Sequence, residues 1–245
     1  QLAQSGAEIE FVLPYSADFS DIDFMRINPA VPDDVEEVIG SQSLIGSTYD
    51  SQYFEYVLKD GKTRGAAMDE HQRNYAQYVT KLVRYGDYDV IHAHDWLTFR
   101  AGLAAKQASG CPLFVHIHST EFDRSGGNSG NPFVREIEYI GLHLADKIFA
   151  VSQATKDTIV REYDIDPSKV EVVHNAMEFK HHEIYEDTSD NAFSYLQRMQ
   201  EAGYRVVVSA GRLTIQKGLT HLLETFRLVV DARPKSLLFI VGPGE

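Results

Sequence analysis

Short apolar runs recur along the chain, separated by stretches whose apolar positions fall three and four residues apart. The runs are Ala7–Pro14, Tyr88–His92, Leu113–Ile117, Lys147–Val151 and Val170–Val173. Most are nearly continuous, the pattern of parallel strands buried on both faces. Tyr75, Tyr78, Val79, Leu82 and Val83 share one helical face. Phe133, Ile137, Ile140 and Leu144 form a second stripe, and Ser152 predicts an N-cap for a third helix carrying Thr155, Ile159 and Tyr163. Strand alternating with helix predicts an α/β fold, a doubly wound sheet with helices on both faces.

The rhythm breaks between Asp18 and about Gly65, where prolines and acidic patches predict loops and short elements at the sheet edge. A polar segment, 187–203, predicts a linker. A second alternating unit follows: strand Arg205–Ala210, a helix marked by Leu219, Leu222, Leu223, Phe226, Val229 and Val230, then strand Ser236–Val241. The expected organisation is a first domain over 1–186 and the start of a second over 204–245. About forty residues bury too little surface for an independent doubly wound domain. At the other end, Gln1–Gly6 reads as a helix's last turn closed by glycine. We therefore expect a fragment cut at both ends.

Composition narrows the function classes. At 43% apolar residues the chain is too hydrophobic to stay disordered, and no uncharged apolar run approaches a membrane span. With 23 basic and 36 acidic side chains the formal charge is −13, which argues against a broad nucleic-acid face. Cys111 is the single cysteine, which excludes a disulfide framework and a multi-cysteine zinc site. No secretory signal opens the chain. The expected location is the cytoplasm.

Several groups carry candidate chemistry. Gly211-Arg212-Leu213-Thr214-Ile215-Gln216-Lys217-Gly218 follows a predicted strand and opens a helix. Strand ends and helix N-termini are where such sheets bind anionic ligands. Arg212 can fork onto two phosphate oxygens and Lys217 adds a point charge. The competing reading is two solvated charges flanking a tight turn. The missing Gly-Lys-Ser/Thr pattern argues against a P-loop ATPase.

Two histidine pairs, His92/His94 and His116/His118, end adjacent predicted strands, and Asp95 follows the first pair. Four imidazoles and a carboxylate suggest zinc. The metallohydrolase run H-x-H-x-D-H is broken, however, because Trp96 and Leu97 follow Asp95. We expect instead that one histidine of each pair packs under the sheet while the other meets a ligand, with no convergence on a metal. The loop Ser125–Pro132 reads as a lid or acceptor loop, or as plain linker. Two Asp-Ile-Asp triplets occur, at 21–23 and 164–166. The second predicts turn and capping chemistry before Pro167. His181 and His182 read as exposed linker residues.

Taken in order, these residues resemble a known family. Asp89-Val90-Ile91-His92-Ala93-His94-Asp95-Trp96 is similar to a run in glycogen and starch synthases and their relatives in glycosyltransferase family 4. Phe114–Glu121 resembles the strand end carrying their active-site histidine, and Asp146–Ser152 their A-D-x-I-x-x-V-S strand. Val173-His174-Asn175-Ala176-Met177-Glu178 resembles their N-G-V-D turn, with Ala176 in place of glycine, and Gly211–Gly218 their G-R-x(4)-K-G donor motif.

The resemblance implies a GT-B fold of two Rossmann-like domains. It also implies retaining transfer of a sugar from an ADP-, UDP- or GDP-sugar to a carbohydrate hydroxyl, with neither metal nor cofactor. Gly211, Arg212, Lys217 and Gly218 would bind the diphosphate, His118 would contact the donor sugar, and Asp95 would line the acceptor side. The family's N-terminal glycine-rich loop and its Glu-x(7)-Glu motif are not in this sequence, so the chain alone is expected to be inactive. A nucleotide-sugar epimerase on the same fold is a close variant. A metallohydrolase built on His92, His94, His116 and His118, or a non-catalytic sugar-binding relative, are the alternatives.

Overall fold

The computed structural model describes residues 2–16, 22–39, 54–176 and 191–242. The chain divides into two compact units, Gln1–His174 and Asn175–Glu245. Residue 187, where the sequence predicts the linker to begin, lies outside the described residues, as do Asp21, His181 and His182.

The first unit is built on a four-stranded parallel sheet of β6 (Ile91–His94), β7 (Leu113–Ile117), β8 (Lys147–Ala150) and β9 (Val170–Val172), in that spatial order. Helices connect successive strands: α2 (Asp95–Ser109) joins β6 to β7, and α5 (Gln153–Tyr163) joins β8 to β9. Between β7 and β8 lie the single turn α3 (Glu121–Arg124) and α4 (Pro132–Leu144). Two earlier strands, β1 (Glu10–Leu13) and β2 (Arg26–Pro29), pair in parallel as a separate sheet. The Tyr75 hydroxyl, on α1 (Met68–Val83), donates to the Val12 carbonyl at 2.9 Å and ties that sheet to the helix.

The irregular region resolves into β3 (Val35–Ile39), β4 (Phe54–Leu58) and β5 (Thr63–Ala66), an antiparallel sheet with its own small core of Val35, Val38, Tyr56 and Ala66. Its strands read as loops from sequence because the acidic pair Glu36-Glu37 interrupts the apolar residues of β3 in a proline-rich setting. At the N-terminus, Ala3–Ser5 is a 3-10 turn closed by left-handed Gly6.

The expectation of strands covered on both faces needs correction. One face of the β6–β9 sheet is dry: Ala93, Leu113, Val115, Ile117, Ile148, Ala150 and Val170 pack with Phe99, Ile137, Leu142, Ile159 and Tyr163. The other carries His92, His94, Phe114, His116, Lys147, Phe149 and Glu171, and none of these is buried. The runs look continuous because aromatic residues and histidines alternate with the aliphatic ones.

The predicted stripe on α4 is also out of phase. Val134, Ile137, Glu138, Gly141 and Leu142 are the buried positions, whereas Ile140 and Leu144 are exposed. The prediction for α5 holds: the Ser152 hydroxyl accepts from the Thr155 N–H, and Thr155, Ile159 and Tyr163 are buried.

The second unit pairs β10 (Arg205–Ala210) with β11 (Ser236–Val241) in parallel. It carries α6 (Asn191–Glu201) and α7 (Leu219–Ala232). Both strand ends finish in glycine for a steric reason. Gly211 N–H donates to the Val241 carbonyl at 2.9 Å, and a Cβ on Gly242 (φ 151) would collide with the Gly211 carbonyl.

In the first unit, α2 and α4 meet where Phe99 lies over Gly141. A side chain at 141 would drive into the Phe99 ring, which is wholly buried. Gly141→Val should therefore destabilise the fold by ~1–3 kcal/mol, the usual cost of overpacking, read as a lowered urea midpoint with an unchanged m-value.

Candidate functional site

The β6 and β7 strand ends gather the histidines. Parallel register sets His94 opposite His116, and alternation places His92 and His118 on the same face. All four rings stack there. Centroids are 4.6 Å apart for His92–His94, 5.1 Å for His94–His116 and 4.7 Å for His116–His118. This corrects the expectation that one histidine of each pair packs under the sheet; strand alternation sends i and i+2 to one side. One ring nitrogen from each of His92, His94 and His116 lies within 4.8 Å of the others. His94 Nδ1 and His118 Nε2 are 3.2 Å apart, a hydrogen bond between the two rings.

Crowding sets the charge of this cluster. Loss of water around the rings lowers His94 and His116 to about 4, and repulsion among neighbouring imidazoles adds to it. His92 is lowered for the same reasons, desolvation first. At neutral pH these rings are uncharged and their lone pairs are available.

Asp95 opens α2 in the left-handed conformation, φ 57. Such a backbone in a non-glycine residue costs roughly 1–3 kcal/mol and persists where surrounding structure enforces it. Its Oδ1 accepts the His118 N–H at 2.8 Å, which joins the two strand ends. Burial raises the Asp95 carboxyl above the usual range, against the pull of that hydrogen bond and of the His118 and Arg124 charges.

Behind His118 the chain turns through Ser119 and Thr120 into α3. Thr120 and Asp123 form a capping box. Arg124 donates to the Ser119 carbonyl and to Glu138, and pairs with Glu121 at 3.3 Å. Glu138 also accepts from the Glu121 N–H at 3.0 Å and from the Tyr163 hydroxyl. Glu121 and Glu138 are almost wholly buried. Burial pushes both carboxyls up, and the Arg124 charge opposes it.

The sequence reading missed Arg124 and Glu138. The available signal was an acidic residue at 138, inside the apolar period of α4. The loop after α3 is anchored rather than open: Asn131 N–H donates to Glu121 at 2.7 Å, and Ser125 Oγ to the Asn128 carbonyl at 2.6 Å.

A groove of about 500 Å³ runs beside the imidazole cluster, lined by Phe11, Leu13, Tyr75, Ile91, His92 and His118 among others. Asp164 and Asp166 act as the sequence predicts for turn chemistry. Asp164 ends α5 in the left-handed conformation, and Asp166 caps the turn Pro167–Lys169 through the Ser168 N–H at 2.8 Å.

In the second unit the Gly211–Gly218 loop links β10 to α7. Thr214 N–H reaches the Arg212 carbonyl at 3.0 Å, Lys217 N–H the Thr214 carbonyl at 3.0 Å, and left-handed Gly218 caps the helix. Arg212 is half-buried and Lys217 exposed. The Lys217 stem folds back over Gly211, with Cε 3.9 Å from where a Cβ would stand. Both cations thus belong to one compact loop at a helix N-terminus.

The model of Glycosyltransferase Family 4 matches residues 48–180. The chain belongs to glycosyltransferase family 4. It is 29% identical over 163 residues to an uncharacterized glycosyltransferase of Methanocaldococcus jannaschii, covering 64% of this chain and 41% of that protein. It is 28% identical over 177 residues to a D-inositol 3-phosphate glycosyltransferase of Streptomyces griseus, covering 65% and 37%. The chain therefore spans less than half the length of these curated relatives.

Among solved structures, sucrose-phosphate synthase from Thermosynechococcus elongatus matches 98% of this family 4 chain and 54% of its own, with a TM-score of 0.60 at 14% identity. That likeness shows the fold, a GT-B type α/β architecture with Rossmann-like parallel sheets. No helix among the described residues is long and apolar enough to cross a membrane.

The depressed histidines give a signed pH dependence. Below about pH 6.5 the unfolded chain takes up protons that folded His94 and His116 refuse. Their contribution is whole above pH ~6.5 and is lost as pH falls toward about 4. Urea midpoints at pH 7, 6 and 5 should fall more steeply in the wild type than in a His94→Asn/His116→Asn double variant. Parallel pH profiles would contradict the assignment.

Proposed function

We propose that this chain forms part of a retaining glycosyltransferase, which moves a sugar from a nucleotide-diphosphate sugar to a carbohydrate hydroxyl without a metal. The observation that carries the reading is the Gly211–Gly218 loop. It presents Arg212 and Lys217 beside the N-terminus of α7, directly after a parallel strand. Negative charge accumulates on the diphosphate as the bond to the sugar breaks. A guanidinium, an ammonium and a helix N-terminus fixed in advance stabilise that charge without reorganising. They take the place that a divalent cation holds in other diphosphate chemistries.

In this reading Gly211 and Gly218 let the backbone approach the phosphates, and His118 touches the donor sugar. Asp95 lines the acceptor side while its hydrogen bond holds the His118 backbone. Its raised carboxyl fits a group that exchanges a proton with a substrate hydroxyl more readily than an exposed aspartate does. The names of the relatives, which include a D-inositol 3-phosphate glycosyltransferase and an alpha-maltose-1-phosphate synthase of Mycolicibacterium smegmatis, favour a small polyol or sugar phosphate beside a glucan as acceptor. The glycogen-synthase-like reading is the glucan arm of that choice.

The deciding measurement is nucleotide release from ADP-, UDP- and GDP-sugars by the catalytically competent polypeptide. Arg212→Ala and Lys217→Ala should each lower kcat by ~10²–10³ while acceptor KM changes little, because the clamp acts on charge that develops in the transition state. Arg212→Lys should recover only part of the loss, since a point charge cannot fork onto two oxygens. Salt should weaken binding of a nucleoside diphosphate to the wild-type chain more than to either alanine variant. Wild-type turnover in both alanine variants would overturn the donor-site assignment.

A further inference from the structure

Three imidazoles grouped on one sheet face have a chemistry that the proposed transfer reaction does not use. We propose that His92, His94 and His116 form a binding site for a transition-metal ion of the class that prefers imidazole nitrogen, such as zinc, nickel or copper(II).

Four observations support it. The first is grouping: one ring nitrogen of each residue lies within 4.8 Å of the other two. Bonds of ~2.0–2.1 Å meeting at tetrahedral angles would set those nitrogens about 3.3 Å apart, so each has only a short way to close. The second is freedom to close. The planes stand 11° apart for His92–His116, 21° for His94–His116 and 27° for His92–His94. A bound ion lies in the plane of every ring that holds it, so near-parallel rings must rotate to share one. His92 is exposed and can rotate about χ2 without disturbing the core or the hydrogen bond that holds the His94 ring.

The third is an unanswered atom. His116 Nε2 is buried and makes no hydrogen bond among the described residues. A bound water or ion is one of the explanations for an unsatisfied buried polar atom. The fourth is orientation of the ligand from behind. Metal-bound histidines commonly direct their other ring nitrogen to a fixed partner. His94 Nδ1 has one in His118 Nε2, at 3.2 Å, which leaves His94 Nε2 for the ion. In that arrangement His94 donates its Nδ1–H to His118 Nε2.

The inference is independent of the glycosyl-transfer reading, because its readout is the ion itself. Tag-free chain, stripped with chelator, should bind one equivalent of Zn²⁺ or Ni²⁺ by calorimetry and by metal analysis after dialysis. His92→Asn and His116→Asn should each weaken that binding at least ~10-fold, the scale of losing a metal contact or its support, with circular dichroism unchanged. A His181→Asn/His182→Asn double variant should bind as the wild type does. Cu²⁺ loaded in place of zinc should show nitrogen couplings in its electron paramagnetic resonance spectrum that diminish in His92→Asn. Absence of stoichiometric binding, or binding that survives both His92→Asn and His116→Asn, would overturn the proposal.

Discussion

Two carboxylates and a guanidinium, buried together behind the His118 turn, are the constraint on which the rest of the site depends. Glu138 comes from α4, Glu121 and Arg124 from α3, and Tyr163 from the end of α5. Taking such charges out of water is expensive, and removal of one partner leaves the others uncompensated, a loss of ~3–5 kcal/mol in comparable cases. The arrangement is tolerated because every charged group finds a partner with direction. The single turn α3, too short to be stable alone, is thereby held by charge and by its capping box as well as by Phe122, which packs edge-on against Tyr163. The Ser119 carbonyl, fixed by Arg124, and the His118 N–H, fixed by Asp95, define the strand end from both sides.

Much of the α/β frame was legible in the sequence because parallel strands and amphipathic helices leave different periods. Leu113–Ile117, Arg205–Ala210 and Ser236–Val241 form strands over the predicted residues. α5 follows from its Ser152 cap and from Thr155, Ile159 and Tyr163. Helix α2 was not marked, for a physical reason: its buried positions include Ala101, Gly102 and Ala105, small residues that leave little apolar contrast between faces. The stripe on α4 misled because Glu138 occupies a core position while Ile140 and Leu144 do not. A pattern of hydrophobicity alone assigns the buried carboxylate to solvent.

The candidate site was legible in residue types and less so in geometry. Spacing singled out Arg212 and Lys217, and the structure brings both onto one loop closed by glycines whose conformations other residues rarely adopt. The histidine pairs stood out as well. What the sequence did not reveal was their mutual stacking, since that depends on the register of β6 against β7. A shift of one residue would have placed Ile117 where His116 faces His94. Nor could spacing reveal that Arg124, six residues beyond His118, fastens the turn through a carbonyl rather than through a substrate.

Helix α2 links these features over a distance. It begins at Asp95, and its backbone at Gly102 approaches strands β6 and β7 so closely that a Cβ there would stand 2.9 Å from the Ala93 Cβ and 3.0 Å from Leu113 Cδ1. Phe99 is locked over Gly141 in the same stretch. A helix seated at two such points can neither slide along its axis nor rotate about it. The carboxylate at its first residue is therefore located as a lathe locates work between centres, from the body of the helix outward. Change at this strand end would leave the helix in place and fall to side chains that stand free of it, such as those lining the neighbouring groove.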